Sequence, residues 1–209
     1  MSTRTALSQK PDVIVTVKLK GRATATAISD AVGFDAAPVL GELAEEGKVE
    51  AVKSFFKITP AGADTVTQTL GIVQATLGHK RLASSYDTFT TTNGNFKVTV
   101  TDWQLRPAAG NPVINDHSDP HYDRGVLDRL HTIHGEISHL LTDFSASFHR
   151  YGRYRERFDR ALDRVVAGQR EFMASPAVDS YHSVWFELHE ELILLCGLTR
   201  AGEAEAGRG

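Results

Sequence analysis

Apolar positions recur every three to four residues over most of the chain and every second residue in a few short stretches, and this alternation of periods predicts the elements. Residues 11–20 are mostly apolar. Val13, Val15 and Val17 alternate as in a strand, yet the segments that follow favour a short buried helix. Ala25, Ile28 and Val32 then fall at helical spacing, with Gly33 as a stop. Asp35 caps a further helix over 36–46, with Val39, Leu40 and Leu43 inward and Gly47 at its end. Residues 49–52 and 55–58 read as two short strands joined by a tight turn at Lys53-Ser54. Pro60 sits at the first position of the next helix.

The second half is helical by the same pattern. In 80–106 the Thr-rich composition and Asn93-Gly94 favour a hairpin by propensity. Phe89, Phe96, Val100 and Trp103 instead make one helical stripe, and helix is the reading adopted. Residues 106–119 are a loop rich in Pro, Gly, Asn and Asp. Asp119-Pro120 opens a long helix whose stripe runs from Val126 through Ile133, Ile137, Leu141 and Phe144 to Phe148, and Gly152 is a candidate break. Tyr154, Phe158, Leu162 and Val165 form the next stripe, ending at Gly168. Ser175-Pro176 opens the last helix, where Val178, Tyr181, Trp185, Leu188, Leu192 and Leu195 keep spacings of three and four. Phe186 and Ile193 add a second apolar side, which makes this the helix expected to be most buried.

Helix, helix, turn, helix, hairpin, helix is the order of a winged helix. The stretch LKGRATATAISDAVGFDAAPVLGELAEEGKVEAVKSFFKITPAGA resembles MarR-type regulators, with LAEEGKVE at the end of the reading helix and FKITPAGA at the wing and exit helix. The expected fold class is mainly α: an N-terminal winged helix-turn-helix of three helices plus a short β-hairpin, followed by an antiparallel helical bundle. The expected organisation is a loose tail over 1–9, a winged-helix domain over 10–79, a helical effector or dimerisation domain over 80–198, and a second loose tail over 199–209.

Charge narrows the function. The formal net charge of -3 gives no general pull toward nucleic acid or anionic lipid, so any such contact needs a local patch. Lys18, Lys20, Arg22, Lys53 and Lys57 are the candidate DNA-contacting residues, with Lys53 and Lys57 on the wing. The reading helix opposes them: it has no Arg, Lys, Asn or Gln to pair with base edges, and it carries Glu42, Glu45 and Glu46. The chain has one cysteine, Cys196, so neither an internal disulfide nor a multi-cysteine zinc site is available. The first residues lack the apolar core of a signal peptide and no apolar run reaches membrane length, so a cytoplasmic protein is expected.

Three clusters bear on chemistry. Arg153, Arg157, Arg160 and Arg164 share a helix face and suit phosphate or carboxylate recognition. Arg155/Asp159 and Glu156/Arg160 make i,i+4 pairs, and a solvated salt-bridged face is the preferred reading. The nine histidines include Asp128/His131, Glu136/His139 and Asp179/His182 at metal-ligand spacing, but Glu136 and His139 face away from their apolar stripe, and no metal or other cofactor is expected. His182 and His189, beside Tyr181 and Trp185, either line a small-molecule pocket or are bonded core histidines. The mouth of such a pocket is the 115–119 loop with Asp116, His117 and Asp119. No nucleophile elbow, phosphate loop, dinucleotide fingerprint or zinc-protease motif occurs, and a non-enzyme is expected.

VTDWQLRP, NDHSDPHYD and VDSYHSVWFELHEELILL are together similar to a region that follows a winged helix in actinobacterial proteins. Some of these resemble MarR-like regulators, and others are extensions of pyruvate phosphate dikinase or PEP-utilising enzymes. The resemblance marks Thr101, Asp102, Trp103, Gln104, Asn115, Asp116, His117 and Asp119, and then Asp179, Tyr181, His182, Trp185, Phe186, Glu187 and His189. From these and the pocket reading, Trp103, Asp116, His117, Asp119, Tyr181, His182, Trp185 and His189 are the candidate ligand-binding set. Two functions follow as expectations: a homodimeric regulator that binds DNA and a small-molecule effector, or a non-catalytic partner of a PEP-utilising phosphotransferase.

Overall fold

The computed structural model describes residues 6–108 and 111–207, and the chain is mainly helical. The N-terminal elements are α1 (Ala6–Lys20), β1 (Ala23–Thr24), α2 (Ala25–Val32), α3 (Ala37–Glu45), β2 (Val49–Val52), β3 (Phe55–Ile58) and α4 (Pro60–Leu77). The C-terminal elements are α5 (His79–Gln104), β4 (Leu105–Arg106), β5 (Val113–Ile114), α6 (Pro120–Ser145), α7 (His149–Val166), α8 (Glu171–Ala174), α9 (Tyr181–Leu195) and α10 (Arg200–Glu205). Among the described residues no helix is long and apolar enough to cross a membrane.

Consecutive burial explains α1. Val13, Ile14 and Val15 are all buried, as are Val17 and Leu19, because the helix packs against α2, α3, α4 and α9. A helix surrounded on most sides has no need of a polar stripe, and the β-branched residues that looked strand-like are simply filling the core. Thr24 caps α2 by accepting from the Ala27 amide, and Thr59 caps α4 by accepting from Gly62. β3 lies between β1 and β2, antiparallel to both, with Ala23 opposite Phe56 and Val49 opposite Ile58. The turn between β2 and β3 places Lys53 at φ 58°, a left-handed position.

Gly33 closes α2 at φ 79°, and the Arg153 guanidinium occupies the space where a Cβ would stand. Gly33→Ala is therefore strained by its backbone, while the Arg153 guanidinium, at the far end of a flexible side chain, must swing aside. The substitution is expected to cost about 2 kcal/mol in urea unfolding, and an unchanged midpoint would overturn this account.

The core is continuous: one apolar cluster runs from Val13 to Leu195, and α9 packs against α1, α4, α5, α7 and α8. Several boundaries differ from the sequence reading. The long helix over 120–145 ends before Phe148, and Gly152 lies inside α7 rather than at a break. The last helix starts at Tyr181, not at Pro176, because the Ser180 hydroxyl accepts from the Ser183 amide while Asp179 is drawn to Arg157. The 106–119 loop is closed by the β4–β5 pair. Of the C-terminal tail, Arg200–Glu205 is helical and Glu203 is buried. Of the N-terminal tail, residues 1–5 lie outside the described residues, and α1 already begins at Ala6.

Candidate functional site

A buried relay of charges joins the N-terminal elements to the C-terminal ones. Arg157 on α7 is 3% exposed and donates to two carboxylates at once. Nε and Nη2 reach Asp179 at 2.8 and 2.6 Å, and Nη1 and Nη2 reach Glu187 at 2.8 and 3.0 Å. Lys20, at the end of α1, adds Nζ to Glu187 Oε1 at 2.7 Å and lies 3.8 Å from Asp179. Burial pushes the Asp179 carboxyl up, but the Arg157 fork and charge more than reverse this, so it sits below its ordinary value.

One turn further along α9, Glu191 is fully buried. It accepts from Arg150 Nη2 at 2.6 Å and from the Tyr151 and Tyr154 hydroxyls at 2.7 and 3.0 Å. Burial, then the Glu191 charge, push both phenols well above their usual range, so they remain donors. Beside them is a cavity of about 20 Å³ lined by Asp12, Thr16, Arg150, Arg153, Tyr154 and Arg157. Arg150 Nε and Nη1 and Arg153 Nε are buried there without a protein partner, and the volume suits a single water.

Outside this relay, α2 and the segment from α7 to α9 bound an open cleft made of two adjoining hollows, about 860 and 500 Å³. Phe172, Asp30 and Asp179 belong to both. The larger hollow is mostly apolar, with Phe55, Val178 and Phe186 among its walls and His182 opening onto it. The smaller one carries Arg153, Arg160 and Arg164 beside Phe34.

The eight candidate ligand residues do not share one pocket. Trp103, Asp116, His117 and Asp119 gather around the 115–119 loop. The His117 ring lies 4.4 Å from that of Trp103, at φ 60°, with Nδ1 3.0 Å from Asp123. Buried Asn115 ties the loop down, its Nδ2 donating to Trp103 O at 3.1 Å and to Asp123 at 2.9 Å. Asp119 caps α6 by accepting from the His121 and Tyr122 amides, and Asp116 accepts from Ser118. Those hydrogen bonds hold both carboxyls below their ordinary value.

Tyr181, Trp185 and His189 are instead core residues. Trp185 stacks on Phe96 at 4.3 Å and donates Nε1 to Asn93 at 2.9 Å. Tyr181 is buried against Phe158, its hydroxyl 3.3 Å from His134. His189 contacts Phe89 and the Tyr86 hydroxyl, which itself donates to Glu203 at 2.6 Å. Of the eight, His182 alone faces the cleft. The pocket proposed around His182 and His189 is thus divided: the two histidines lie seven residues apart, but one ring turns out and the other in.

Among the DNA-contact candidates, Lys20 is a correction, since its ammonium is committed to Glu187 inside the molecule. Arg22 lies over the Phe55 ring at 4.2 Å, and Lys57 pairs with Glu50 at 3.1 Å. Lys53 is exposed at the turn and Lys18 half-buried. The exposed positions of α3 are Ala37, Pro38, Gly41 and Glu45, while Glu42 and Glu46 are paired with Lys10.

The arginine stripe is corrected as well. Glu156 pairs with Arg153 rather than Arg160, and Asp159 with His134 Nε2 at 3.0 Å rather than Arg155. The acid–histidine pairs take other partners too: Glu136 accepts from Thr92 at 2.8 Å, and Asp179 belongs to Arg157. Among the described residues no group of three or more His, Cys, Asp or Glu is placed to hold a metal ion. Burial, then Glu203, push the Cys196 thiol up to about 11, so it stays protonated at neutral pH.

The sequence reading passed over Arg150 and Glu191, and marked Glu187 only through the resemblance. Two carboxylates four residues apart in the helix expected to be most buried were the available signal, since buried charges need partners.

Comparison with protein-family models, with curated proteins and with solved structures finds no match for this chain.

Proposed function

We propose that this chain is a regulatory protein built on a winged helix, in which a DNA-contacting unit is fastened to a helical sensing unit. The observation that carries the reading is the order α1-β1-α2-α3-β2-β3 with β1 and β2 both paired to β3, the order expected of a hairpin wing beside a helix-turn-helix. The continuous core and the Lys20–Glu187 pair supply the fastening. The exposed α3 face offers no base-reading side chain, so contact with DNA falls to phosphates, through Lys18, Arg22, Lys53 and Lys57.

Binding to double-stranded DNA from around its own gene is therefore expected to be tolerant of sequence and steeply dependent on salt. Lys53→Glu/Lys57→Glu should flatten the plot of log affinity against log salt by about two units, as two phosphate contacts are lost. Fluorescence anisotropy measures this. No binding to any neighbouring promoter fragment at about 50 mM salt overturns the proposal.

A second reading is favoured by one feature of the surface. The exposed positions of α3 are small or acidic, which suits docking to a protein better than docking to a polyanion. In that reading the chain is a non-catalytic partner of a PEP-utilising phosphotransferase. Co-expression that yields a complex disrupted by Gly41→Arg supports it, and co-expression that yields no complex removes it.

A further inference from the structure

We infer that the cleft between α2 and the α7–α9 segment binds an amphipathic organic anion, with its acidic head on Arg160 and Arg164 and its apolar body along Phe172, Phe55 and Phe186. The two hollows hold both halves of such a ligand, and Phe172 lies at their junction.

The sign of the charge decides the class of ligand. Lys20, Arg22, Arg153, Arg160 and Arg164 line the cleft against Asp30, Asp179 and Glu187, a positive excess on a chain of net charge -3. Lys20 is held by Glu187, Arg153 by Glu156, and Asp179 by Arg157. Arg160 is exposed and makes no salt bridge or hydrogen bond among the described residues, its charge acting on Asp179 only at longer range. Arg164 gives Nη1 only to the neutral Gln169 amide, at 3.0 Å. Arg160 and Arg164 are one turn apart on α7, so their guanidiniums can bracket one phosphate, sulfonate or carboxylate with charge-assisted hydrogen bonds. Arg164 Cζ also lies 5.5 Å from the centre of the Phe172 ring, which joins the charged end of the cleft to its aromatic wall.

Phe186 is 48% exposed and Phe172 half-buried, an apolar area open to solvent in a hollow of about 860 Å³, within the range of small-molecule sites. The hollow beside Trp103 and His117 is different: Arg170 and Glu171 balance there and no uncommitted cation excess remains. The inference concerns the cleft alone and stands whether or not the winged unit contacts DNA.

The test uses the full chain and two probes with the same aromatic body. 1-Anilinonaphthalene-8-sulfonate carries an acidic head; N-phenyl-1-naphthylamine does not. The sulfonate is expected to saturate a single site per chain. Arg160→Gln/Arg164→Gln should weaken it about tenfold or more while leaving the neutral probe within about twofold. Phe172→Ala should weaken both. Arg160→Gln alone breaks no salt bridge or hydrogen bond among the described residues and removes only a longer-range charge from Asp179, and it should shift the sulfonate in the same direction by a smaller factor. Equal affinity for the sulfonate in wild type and the double variant, or a signal that never saturates, overturns the inference.

Discussion

Arg157→Met is expected to remove about 3–5 kcal/mol of stability in urea unfolding, a large part of what a domain of ordinary stability has. The methionine keeps most of the stem volume, so the loss reports the charge rather than a hole. Without the guanidinium, Glu187 is left with a side chain 7% exposed and Lys20 as its remaining cation, and Asp179 loses both of its short bonds from Arg157. Carboxylates left short of positive charge in a largely buried site cost far more than the pair contributed, which sets the sign and size of the effect. Arg157→Lys should recover little, because one ammonium cannot reach two carboxylates with the spread of a guanidinium fork. Replacing Glu187 with methionine in the Arg157→Met background should recover a good part of the loss, since fewer charges remain unpaired. A loss below about 1 kcal/mol for Arg157→Met, with an unchanged denaturant slope, would show the relay to be wet and weak.

The relay also explains why one continuous core runs through the molecule. Lys20 ends α1, Asp179 ends the connection after α8, Glu187 is on α9 and Arg157 on α7. A single guanidinium therefore fixes where three C-terminal elements meet the N-terminal unit. Arg150 and Glu191 repeat the arrangement two turns away on α7 and one turn away on α9, with two tyrosine hydroxyls completing the carboxylate's partners.

What the sequence made legible was whatever depended on neighbours along the chain. The 80–106 segment is the clearest case. Its threonines and Asn93-Gly94 suggested a hairpin, yet the stripe of Phe89, Phe96, Val100 and Trp103 predicted the helix that forms. The threonines do not oppose it, because their hydroxyls turn back to carbonyls four residues earlier, as Thr88 does to Ser84 and Thr92 to Thr88. Asn93 is not a turn residue at all; it is buried and receives the Trp185 indole. Illegible features depended on distant partners. Glu203 seemed part of a tail, but Tyr86, 117 residues earlier, holds it in the core. Arg157 looked like one member of a solvated stripe, and nothing within a turn or two of it revealed Asp179 and Glu187. The ligand set failed for a related reason: periodicity places Tyr181, Trp185 and His189 on α9 but does not say whether the space beside them is cavity or aromatic packing.

Stability is expected to fall by up to about 3 kcal/mol as pH drops from 6.5 to 4, with most of that loss removed by His189→Phe. Burial holds the His189 imidazole down at about 4, with Arg200 adding to the effect and Glu203 and Glu190 opposing it. Unfolded, the same ring titrates near 6.5. Between those values the unfolded chain binds more protons than the folded one, so stability is complete above pH 6.5 and is lost as pH falls toward 4. His134 and His182, also depressed by burial, act in the same direction as pH falls below 6.5. Asp179, held below its ordinary carboxylate value, contributes its own loss only under more acid conditions. Phenylalanine keeps a ring against Phe89 and Tyr86 but has nothing to protonate, and Tyr86 retains Glu203 as its hydroxyl partner. The informative quantity is the slope of unfolding free energy against pH, because the substitution also changes packing and thereby the absolute value. Parallel slopes for wild type and His189→Phe between pH 6.5 and 4.5 would mean that this imidazole already reaches water, and that the buried cluster of Tyr86, His189 and Glu203 opens before the molecule unfolds.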